Sequence, residues 1–280
     1  MEILGYVVAR NMALVAVNAQ HIATIGPDKF IIPNAKKAYL VRDNILLAMR
    51  GNPYKTTYIK KYLLKLAELN SITSFHSVRE DINDVFNTAQ SKISASIENI
   101  KKAIEELKRD DGHIDTREVE KRLDSQEEIE LLRDITSSTL NNHNSFTIVS
   151  LFGHEEPEGI KIVHLVAIGS QISDVYKTDL PKDQVFLQFL DDTTKDNAQL
   201  QNDLVKQLTP FLPPGWENDE RHVTKLLEQA KNVITIGINK LSPPNERPNI
   251  VFYELSVRTG FKFSEPEIKL VDIEYNYSKD

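Results

Sequence analysis

The chain has 280 residues, a formal charge of −7 and no cysteine. The excess of acidic side chains argues against nucleic acid as a partner, because phosphate binding requires a basic surface. Without cysteine there is no disulfide, no thiolate nucleophile and no thiolate metal site. The length permits a substantial core, and we predict one domain over residues 1–280.

The chain opens on two apolar runs. Residues 2–9 and 12–18 are separated by the polar pair Arg10-Asn11, a pattern that predicts a β-hairpin. The first run is too short and too interrupted to span a membrane, and it lacks the basic start and cleavage site of a signal peptide. We therefore expect no membrane association and a place in the cytoplasm or the nucleus.

A loop, a second hairpin and a helix are predicted next. Residues 18–34 read as a loop with its turn at 26–28, and the runs 38–41 and 45–49 as a second hairpin. A helix then starts near Pro53. Its apolar positions recur at helical spacing: Tyr54, Tyr58, Ile59, Tyr62, Leu63, Leu66 and Leu69.

A long helical segment follows. Its apolar stripe alternates steps of three and four: Val78, Ile82, Val85, Phe86, Ala89, Ile93, Ile97, Ile100, Ile104 and Leu107. Residues 110–112 break the pattern, and Asp115 with Glu118 indicates the start of a third helix that runs through Ile135. We predict a protruding antiparallel helical hairpin over residues 78–140.

The remaining elements alternate between groups of strands and helices. The patterns predict strands at 146–152, 160–166 and 174–177, helices at 182–189, 197–208 and 220–239, and strands at 249–257 and 267–275. Helices that arrive in blocks between antiparallel strands predict an α+β protein whose sheets are covered by helical layers.

This order of elements resembles that of proteasome β-type subunits, which are N-terminal nucleophile (Ntn) hydrolases. The resemblance is carried by residues 2–18, by Asn34-Ala35-Lys36-Lys37, by the strand at 44–51 and by the helix at 54–69. It extends less closely to 146–166 and 220–239. It implies a four-layer αββα sandwich of two antiparallel sheets, with the helical hairpin as an enlarged insertion.

The resemblance also implies where a catalytic site would lie. In that family a threonine freed at the N-terminus attacks the peptide bond, with its own amine as base. The threonine's place falls on Glu2, that of an aspartate on Asn18, that of a lysine on Lys37 and that of the oxyanion glycine on Gly51. Only the lysine and the glycine match the family. The stretch at 233–241 also departs from the family's pattern.

The departures indicate a subunit without catalysis. The carboxylate of Glu2 is a poor nucleophile towards amides and would leave an unstable anhydride. A start of Met-Glu that runs straight into the first strand resembles the non-catalytic β subunits of eukaryotic proteasomes. The resemblance thus implies a structural subunit of a ring, with other α- and β-type subunits as partners in a hetero-oligomer. We expect no intact catalytic residue, no cofactor and no metal.

Other interpretations remain open. The chain could be an active Ntn-type hydrolase with its nucleophile elsewhere, or a free-standing interaction protein that uses the helical hairpin. Lys37 could be a solvated strand-end charge, and Gly51 could serve only the backbone geometry of a strand-to-helix turn. The acidic runs at 154–158, 191–196 and 110–112 lack the ligand spacing of zinc or calcium sites.

Overall fold

A computed structural model describes residues 4–25, 28–51, 53–69, 74–107, 115–125, 128–129, 132, 146–168, 171–178, 184–190, 197–242 and 248–271. The strands are β1 (Leu4–Ala9), β2 (Met12–Asn18), β3 (His21–Ile25), β4 (Asp28–Ile32), β5 (Ala38–Arg42), β6 (Ile45–Gly51), β7 (Phe146–Glu155), β8 (Gly159–Ile168), β9 (Gln171–Thr178), β10 (Phe186–Leu190), β11 (Ile250–Ser256) and β12 (Phe263–Ser264). The helices are α1 (Pro53–Glu68), α2 (Phe75–Leu107), α3 (Thr116–Glu120), α4 (Ala198–Val205) and α5 (Glu220–Leu241).

The strands form two antiparallel sheets of five strands each, and β3 and β4 form a separate hairpin. The first sheet has the order β10-β1-β2-β11-β12, and the second has the order β5-β6-β7-β8-β9. Both β1 and β2 are buried along their whole length, as strands covered on both faces must be.

Three hydrophobic cores separate the layers. The inner faces of the two sheets share one core, which includes Val15 of the first sheet and Phe152 of the second. A second core joins the outer face of the second sheet to α1 and the start of α2. A third joins the outer face of the first sheet to α4 and α5. The order of layers is therefore helices, sheet, sheet, helices, and the predicted α+β class with two antiparallel sheets is confirmed.

Helix α5 forms because its sequence provides an N-terminal capping residue and an apolar stripe along one face. The side chain of Asp219 accepts a hydrogen bond from the backbone N–H of Arg221 and so caps the N-terminus. The buried positions then recur every three or four residues: Val223, Leu226, Leu227, Ala230, Val233, Ile234, Gly237 and Ile238. Gly237 allows close packing, since a Cβ there would lie 2.1 Å from the ring of Phe189.

Helix α2 extends beyond the sandwich. Its first turns pack on the second sheet through Phe75, Val78 and Ile82. Its last turns belong to a separate small core, formed by Ile100, Ala103, Val119 and Leu132, with further apolar side chains around them. Ile82 and Ile100 are about 27 Å apart along the axis at 1.5 Å per residue. We call the part of the chain around this small core (97–107, 115–125, 128–129 and 132) the arm.

Four predicted elements differ from the structure. Residues 18–34, predicted as a loop, contain the β3–β4 pair, in which His21–Ile25 runs antiparallel to Asp28–Ile32. The two strands are rich in β-branched residues, which favour extended backbone. The helix predicted at 182–189 is wrong where it overlaps β10, which pairs with β1 and buries Leu187 and Phe189 on one face. The strand predicted at 267–275 is reduced to an isolated bridge between Val271 and Ala35, and residues 272–275 lie outside the described part.

The fourth difference lies in the arm. The predicted third helix stops at Glu120, and residues 121–125 form turns before helical backbone returns at 128–129. The break has a local cause: the Ser125 hydroxyl accepts a hydrogen bond from the Glu128 N–H, which starts a new helical turn. The turn predicted at 110–112 lies outside the described residues, so the hairpin itself stays a prediction.

Candidate functional site

Three of the four positions that the resemblance assigns to a catalytic site, Asn18, Lys37 and Gly51, lie at one end of the sandwich. Strand β1 starts at Leu4, which pairs with Val17 of β2 and with Leu190 of β10. The Arg50 side chain, at the end of β6, donates a hydrogen bond of 2.5 Å to the Leu190 carbonyl oxygen. The start of β1 and the ends of β2, β6 and β10 therefore share one end, which we call the proximal end. Glu2 lies outside the described residues.

Asn18 is the last residue of β2, and its side chain holds the backbone of two neighbouring segments. Its side chain is buried, and its Oδ1 accepts hydrogen bonds from the backbone N–H groups of Gln20 at 3.0 Å and Asn249 at 3.1 Å. These bonds tie the end of β2 to the segment that enters β11. The amide carries no charge, so it does not supply the negative charge that an aspartate would place beside a lysine.

Lys37 and Asn18 both bond to the backbone of Gln20. The Lys37 Nζ donates a hydrogen bond of 2.8 Å to the carbonyl oxygen of Gln20, whose N–H is held by Asn18. The backbone carbonyl of Lys37 in turn accepts from Met49 of β6. The lysine thus links the segment after β2 to the second sheet, with its ammonium on a peptide carbonyl.

Gly51 ends β6 with a backbone that favours glycine. Its φ is 104°, in the left-handed region that side-chain-bearing residues rarely adopt. It pairs with Thr147 of β7, and α1 starts at Pro53 directly after it. This geometry agrees with the interpretation of Gly51 as the residue of a strand-to-helix turn.

A chain of polar side chains that the sequence did not predict crosses between the two sheets, and it is buried except for the half-buried Gln188. Ser150 and His164 are paired neighbours on β7 and β8, and Tyr6 and Gln188 are paired neighbours on β1 and β10. The His164 Nδ1 is 2.8 Å from the Ser150 hydroxyl, and its Nε2 is 2.6 Å from the Tyr6 hydroxyl. The Tyr6 hydroxyl also bonds to the Gln188 Oε1.

The Gln188 amide oxygen, at one end of this chain of polar groups, fixes which atom donates in each hydrogen bond. The amide oxygen of Gln188 can only accept, so Tyr6 donates to it and accepts from the Nε2–H of His164. The Nδ1 of His164 is then the acceptor for the Ser150 hydroxyl. A neutral His164 imidazole, with one N–H and one bare nitrogen, makes both of its hydrogen bonds. Burial favours this neutral form, because it lowers the pKa of His164 to about 4. Burial also raises the pKa of Tyr6, so both groups are uncharged at neutral pH.

The contact between Ser150 and His164 has the residue types of a nucleophile and its base. Ser150 is fully buried and His164 is only 2% exposed, both between the sheets. A substrate therefore has no access to the serine hydroxyl in this fold. The arrangement fits a structural role, in which a fully satisfied polar chain joins the two sheets. A single histidine among the alternating apolar residues of β8 was the available sequence signal.

A cleft of about 710 Å³ opens at the opposite end of the sandwich, which we call the distal end. Its walls come from the β1–β2 turn, the β7–β8 turn, the start of α5 and the segment after β11. Residues that line it include Arg10, Asn11, His154, Glu156, Glu217 and Phe261. The six residues of β1 separate the two ends by about 20 Å, so the cleft is distinct from the proximal end.

Among the residues that the structure describes, no cluster of three or more histidine, cysteine or acidic side chains could hold a metal ion. Nor does any helix in the described ranges combine the length and apolar character needed to cross a membrane. No model of a protein family matches the chain, and no curated protein matches it in sequence.

Proposed function

We propose that the chain is a non-catalytic subunit of a proteasome-like, protein-degrading ring assembly. One observation carries the proposal: the start of β1, Asn18, Lys37 and Gly51 all lie at the proximal end of two stacked antiparallel sheets with helices on both outer faces. The resemblance assigns the catalytic residues of an Ntn hydrolase to this place. Spacing in sequence and position in the fold therefore agree.

The residue types at the four assigned positions favour scaffolding over hydrolysis. Glu2 offers a carboxylate where the family has a hydroxyl, and Asn18 offers a neutral amide where it has an aspartate. Both Asn18 and Lys37 hold Gln20 in place, which makes them part of the framework. A sandwich that has lost its nucleophile can still pack against other subunits, because the packing of its sheets and helices does not depend on the catalytic residues.

The arm supplies a candidate contact surface for ring partners. It has its own core, and its outer surface is charged and exposed at Glu98, Lys101, Lys102, Glu105 and Glu106. A folded extension of this kind adds contact area without disturbing the sandwich. We place the assembly in the cytoplasm or the nucleus, and we take other α- and β-type subunits as the partners.

Native mass spectrometry of the tagged chain, purified from its source cells, tests the proposal. We expect a large assembly that holds several different chains, together with peptidase activity of the assembly on a fluorogenic peptide. The isolated chain should have no such activity. Recovery of the chain alone, or with partners that form no ring, would overturn the ring assignment and favour a free-standing interaction protein.

The variant Lys37→Ala separates the scaffold from an active hydrolase. In an Ntn hydrolase the corresponding lysine is part of the catalytic machinery, and its loss would abolish turnover by the isolated chain. In a scaffold, the activity of the assembled ring should stay within about twofold once assembly is matched. Turnover by the isolated wild-type chain that Lys37→Ala removes would promote the enzyme interpretation.

A further inference from the structure

Strand β10 is an edge of the first sheet and pairs on one side only. It bonds to β1, and no described strand lies on its other side. In an antiparallel sheet, alternate residues of an edge strand direct their N–H and C=O groups outwards. Such a row of backbone groups is a template for another strand, and proteins usually block it with charges, proline, a bulge or a covering segment.

Both edges of the second sheet have such protection. Strand β5 contains Arg42, and its pairing with β6 is interrupted by one extra residue, Val41. Strand β9 contains Asp174 and Lys177, and its pairing with β8 is interrupted at Ser173. An extra residue bends an edge strand and breaks its regular row of backbone groups, and charged side chains oppose pairing with another strand.

The other edge of the first sheet is covered by the end of the chain. Strand β12 pairs with Glu254 and Leu255 of β11. The segment after β12 then returns to the proximal end, where the Val271 N–H donates a hydrogen bond of 2.7 Å to the Asn34 carbonyl oxygen. On this path the partly buried Leu270 packs against the core between the sheets. A further strand therefore has no regular edge to join on this side.

Strand β10 has none of these protective features. Its sequence is Phe-Leu-Gln-Phe-Leu, without a charge or a proline, and its five pairs with β1 follow one another without a shift in register. The first side chain of the strand, Phe186, is 36% exposed. An uncharged, regular and partly exposed apolar edge is the kind of edge that pairs with another chain.

The sequence of β10 is nearly symmetric about Gln188, which suits pairing with a second copy. If two copies run antiparallel with Gln188 opposite itself, Phe186 lies opposite Leu190. Leu187 then lies opposite Phe189. Leu187 and Phe189 face the helical layer, and the other three side chains face the space between the sheets. Each aromatic ring thus meets an aliphatic side chain on the same face, a combination that stabilises antiparallel strands.

Gln188 can supply a specific contact at the centre of this pair. Its Oε1 accepts a hydrogen bond from the Tyr6 hydroxyl. Its Nε2 donates to no described residue, so it is available to the amide oxygen of the second copy, which has a second lone pair. Two glutamines placed opposite each other bond reciprocally in this way, and no charged side chain of β10 meets its own copy.

We propose that two copies of this chain associate through β10, as an antiparallel strand pair about a two-fold axis at Gln188. Backbone hydrogen bonds between the strands provide the attraction, and the two five-stranded sheets become one sheet of ten strands. A two-fold contact uses the same patch on both copies and closes on itself, so association stops at the dimer. The contact does not include the arm, and it is independent of the proposed function.

Analytical ultracentrifugation of the full chain, purified alone, tests the proposal. A strand pair of five residues is a small interface, so we expect dimerisation between about 2 and 200 µM protein. The mass should rise from the 31.9 kDa of one chain towards twice that value and no further. A mass of one chain at every concentration would overturn the proposal, and so would assembly that continues beyond two copies.

A matched pair of lysine variants tests whether β10 is the contact. Phe186→Lys adds the charge that blocks natural edges and should weaken self-association at least about tenfold. Leu69→Lys makes the same kind of change at the end of α1, where the leucine is 64% exposed, and should leave self-association within about twofold. Both variants should keep the circular dichroism of the wild type. Equal self-association of the two variants would contradict a contact through β10.

Disulfide trapping tests the register and does not depend on a lysine variant. The chain has no cysteine, so a mixture of Phe186→Cys and Leu190→Cys contains a single thiol on each molecule. Residues directly opposite each other have Cα atoms about 4.5–5.5 Å apart, within the reach of a disulfide. Residue 186 and its own copy are about 14 Å apart, so neither variant should cross-link by itself.

Mild oxidation at about 200 µM protein should therefore give a linked dimer in the mixture and little in either variant alone. Linking of one variant alone that equals linking in the mixture would overturn the two-fold pairing at Gln188. A chain that stays monomeric leaves the ring proposal untouched, because that proposal rests on the proximal end.

Discussion

The Nε2 of His164 lies 2.6 Å from the hydroxyl oxygen of Tyr6, although 158 residues separate them in the chain. His164 lies in β8 of the second sheet, and Tyr6 lies in β1 of the first sheet. Their bond is the point where a chain of polar groups crosses an otherwise apolar interface. Because a buried polar group without a partner is costly, this bond favours one relative position of the two sheets.

The pH dependence of stability should report His164. Its pKa is lowered from 6.5 to about 4 in the folded protein, so the unfolded chain binds the proton first as the pH falls. The stability that this group contributes is therefore complete above pH 6.5 and is lost towards pH 4. Between pH 7 and pH 5 we expect a loss of about 2 kcal/mol, measured by urea unfolding. In His164→Gln the same pH change should cost less by that amount, and parallel profiles would contradict the assignment.

Removing the Tyr6 hydroxyl should be more costly than removing a buried hydroxyl with one partner. Tyr6→Phe leaves both the His164 N–H and the Gln188 oxygen without their bond, and we expect a loss of about 3 kcal/mol. Tyr253→Phe is the matched control, because among the described residues that hydroxyl has a single partner, the Ala38 carbonyl. It should cost about 1 kcal/mol. Equal losses in denaturant unfolding would show that the chain adds nothing.

Gly237 should resist replacement by alanine although it lies in a helix. Alanine usually stabilises a helix by about 1 kcal/mol relative to glycine. Here the added Cβ would lie 2.1 Å from the ring of Phe189, which is buried against α5. We expect Gly237→Ala to destabilise the protein by about 2 kcal/mol in thermal and urea unfolding.

A double-mutant cycle locates the cause of that loss. Phe189→Leu removes the ring that the new methyl group meets, so Gly237→Ala should cost less in its presence, with a coupling of about 1 kcal/mol. Additive losses would show that the packing of α5 on β10 is not responsible. Lys225→Ala, at an exposed position of the same helix, serves as the control for helix propensity.

The arm should loosen independently of the sandwich. Val119 is fully buried in the small core of the arm, and no other described core includes it. We expect Val119→Ala to speed hydrogen exchange in residues 97–107 and 115–125 while β6, β7 and β8 stay protected. Val163→Ala, in the core under α1, should instead lower the global stability by about 1–2 kcal/mol. Faster exchange throughout the strands of Val119→Ala would mean that the arm and the sandwich unfold together.

The elements with a regular local pattern were predicted well. The hairpin β1–β2, the helix α1 and the stripe of α5 follow from alternation or from steps of three and four. Their start and stop signals, such as Asp219, are within a few residues of the pattern. These features depend on hydrogen bonds between neighbours in the chain, so the sequence contains them directly.

The errors occurred where something other than the periodic pattern decides the conformation. Residues 186–190 resemble a helical segment, yet they are a strand because β1 offers a free edge and α5 covers Leu187 and Phe189. The periodic pattern of the third helix predicts continuity, but a local hydrogen bond from the Glu128 N–H to the Ser125 hydroxyl starts a new turn. In both places the sequence prefers helix only weakly over the alternative backbone conformation. A hydrogen bond or a packing surface then decides between two conformations of similar free energy.

The amino-acid order by itself determined the α+β class, the sequence of most elements and the four positions that the Ntn resemblance selects. Tertiary structure alone decided that Tyr6 meets His164, that Asn18 bonds to the backbone of Asn249, and that four separate segments close around the distal cleft. The physical reason is range. Periodicity and capping act over a few residues, whereas a site is assembled by the packing of two sheets whose contacts join residues more than a hundred positions apart.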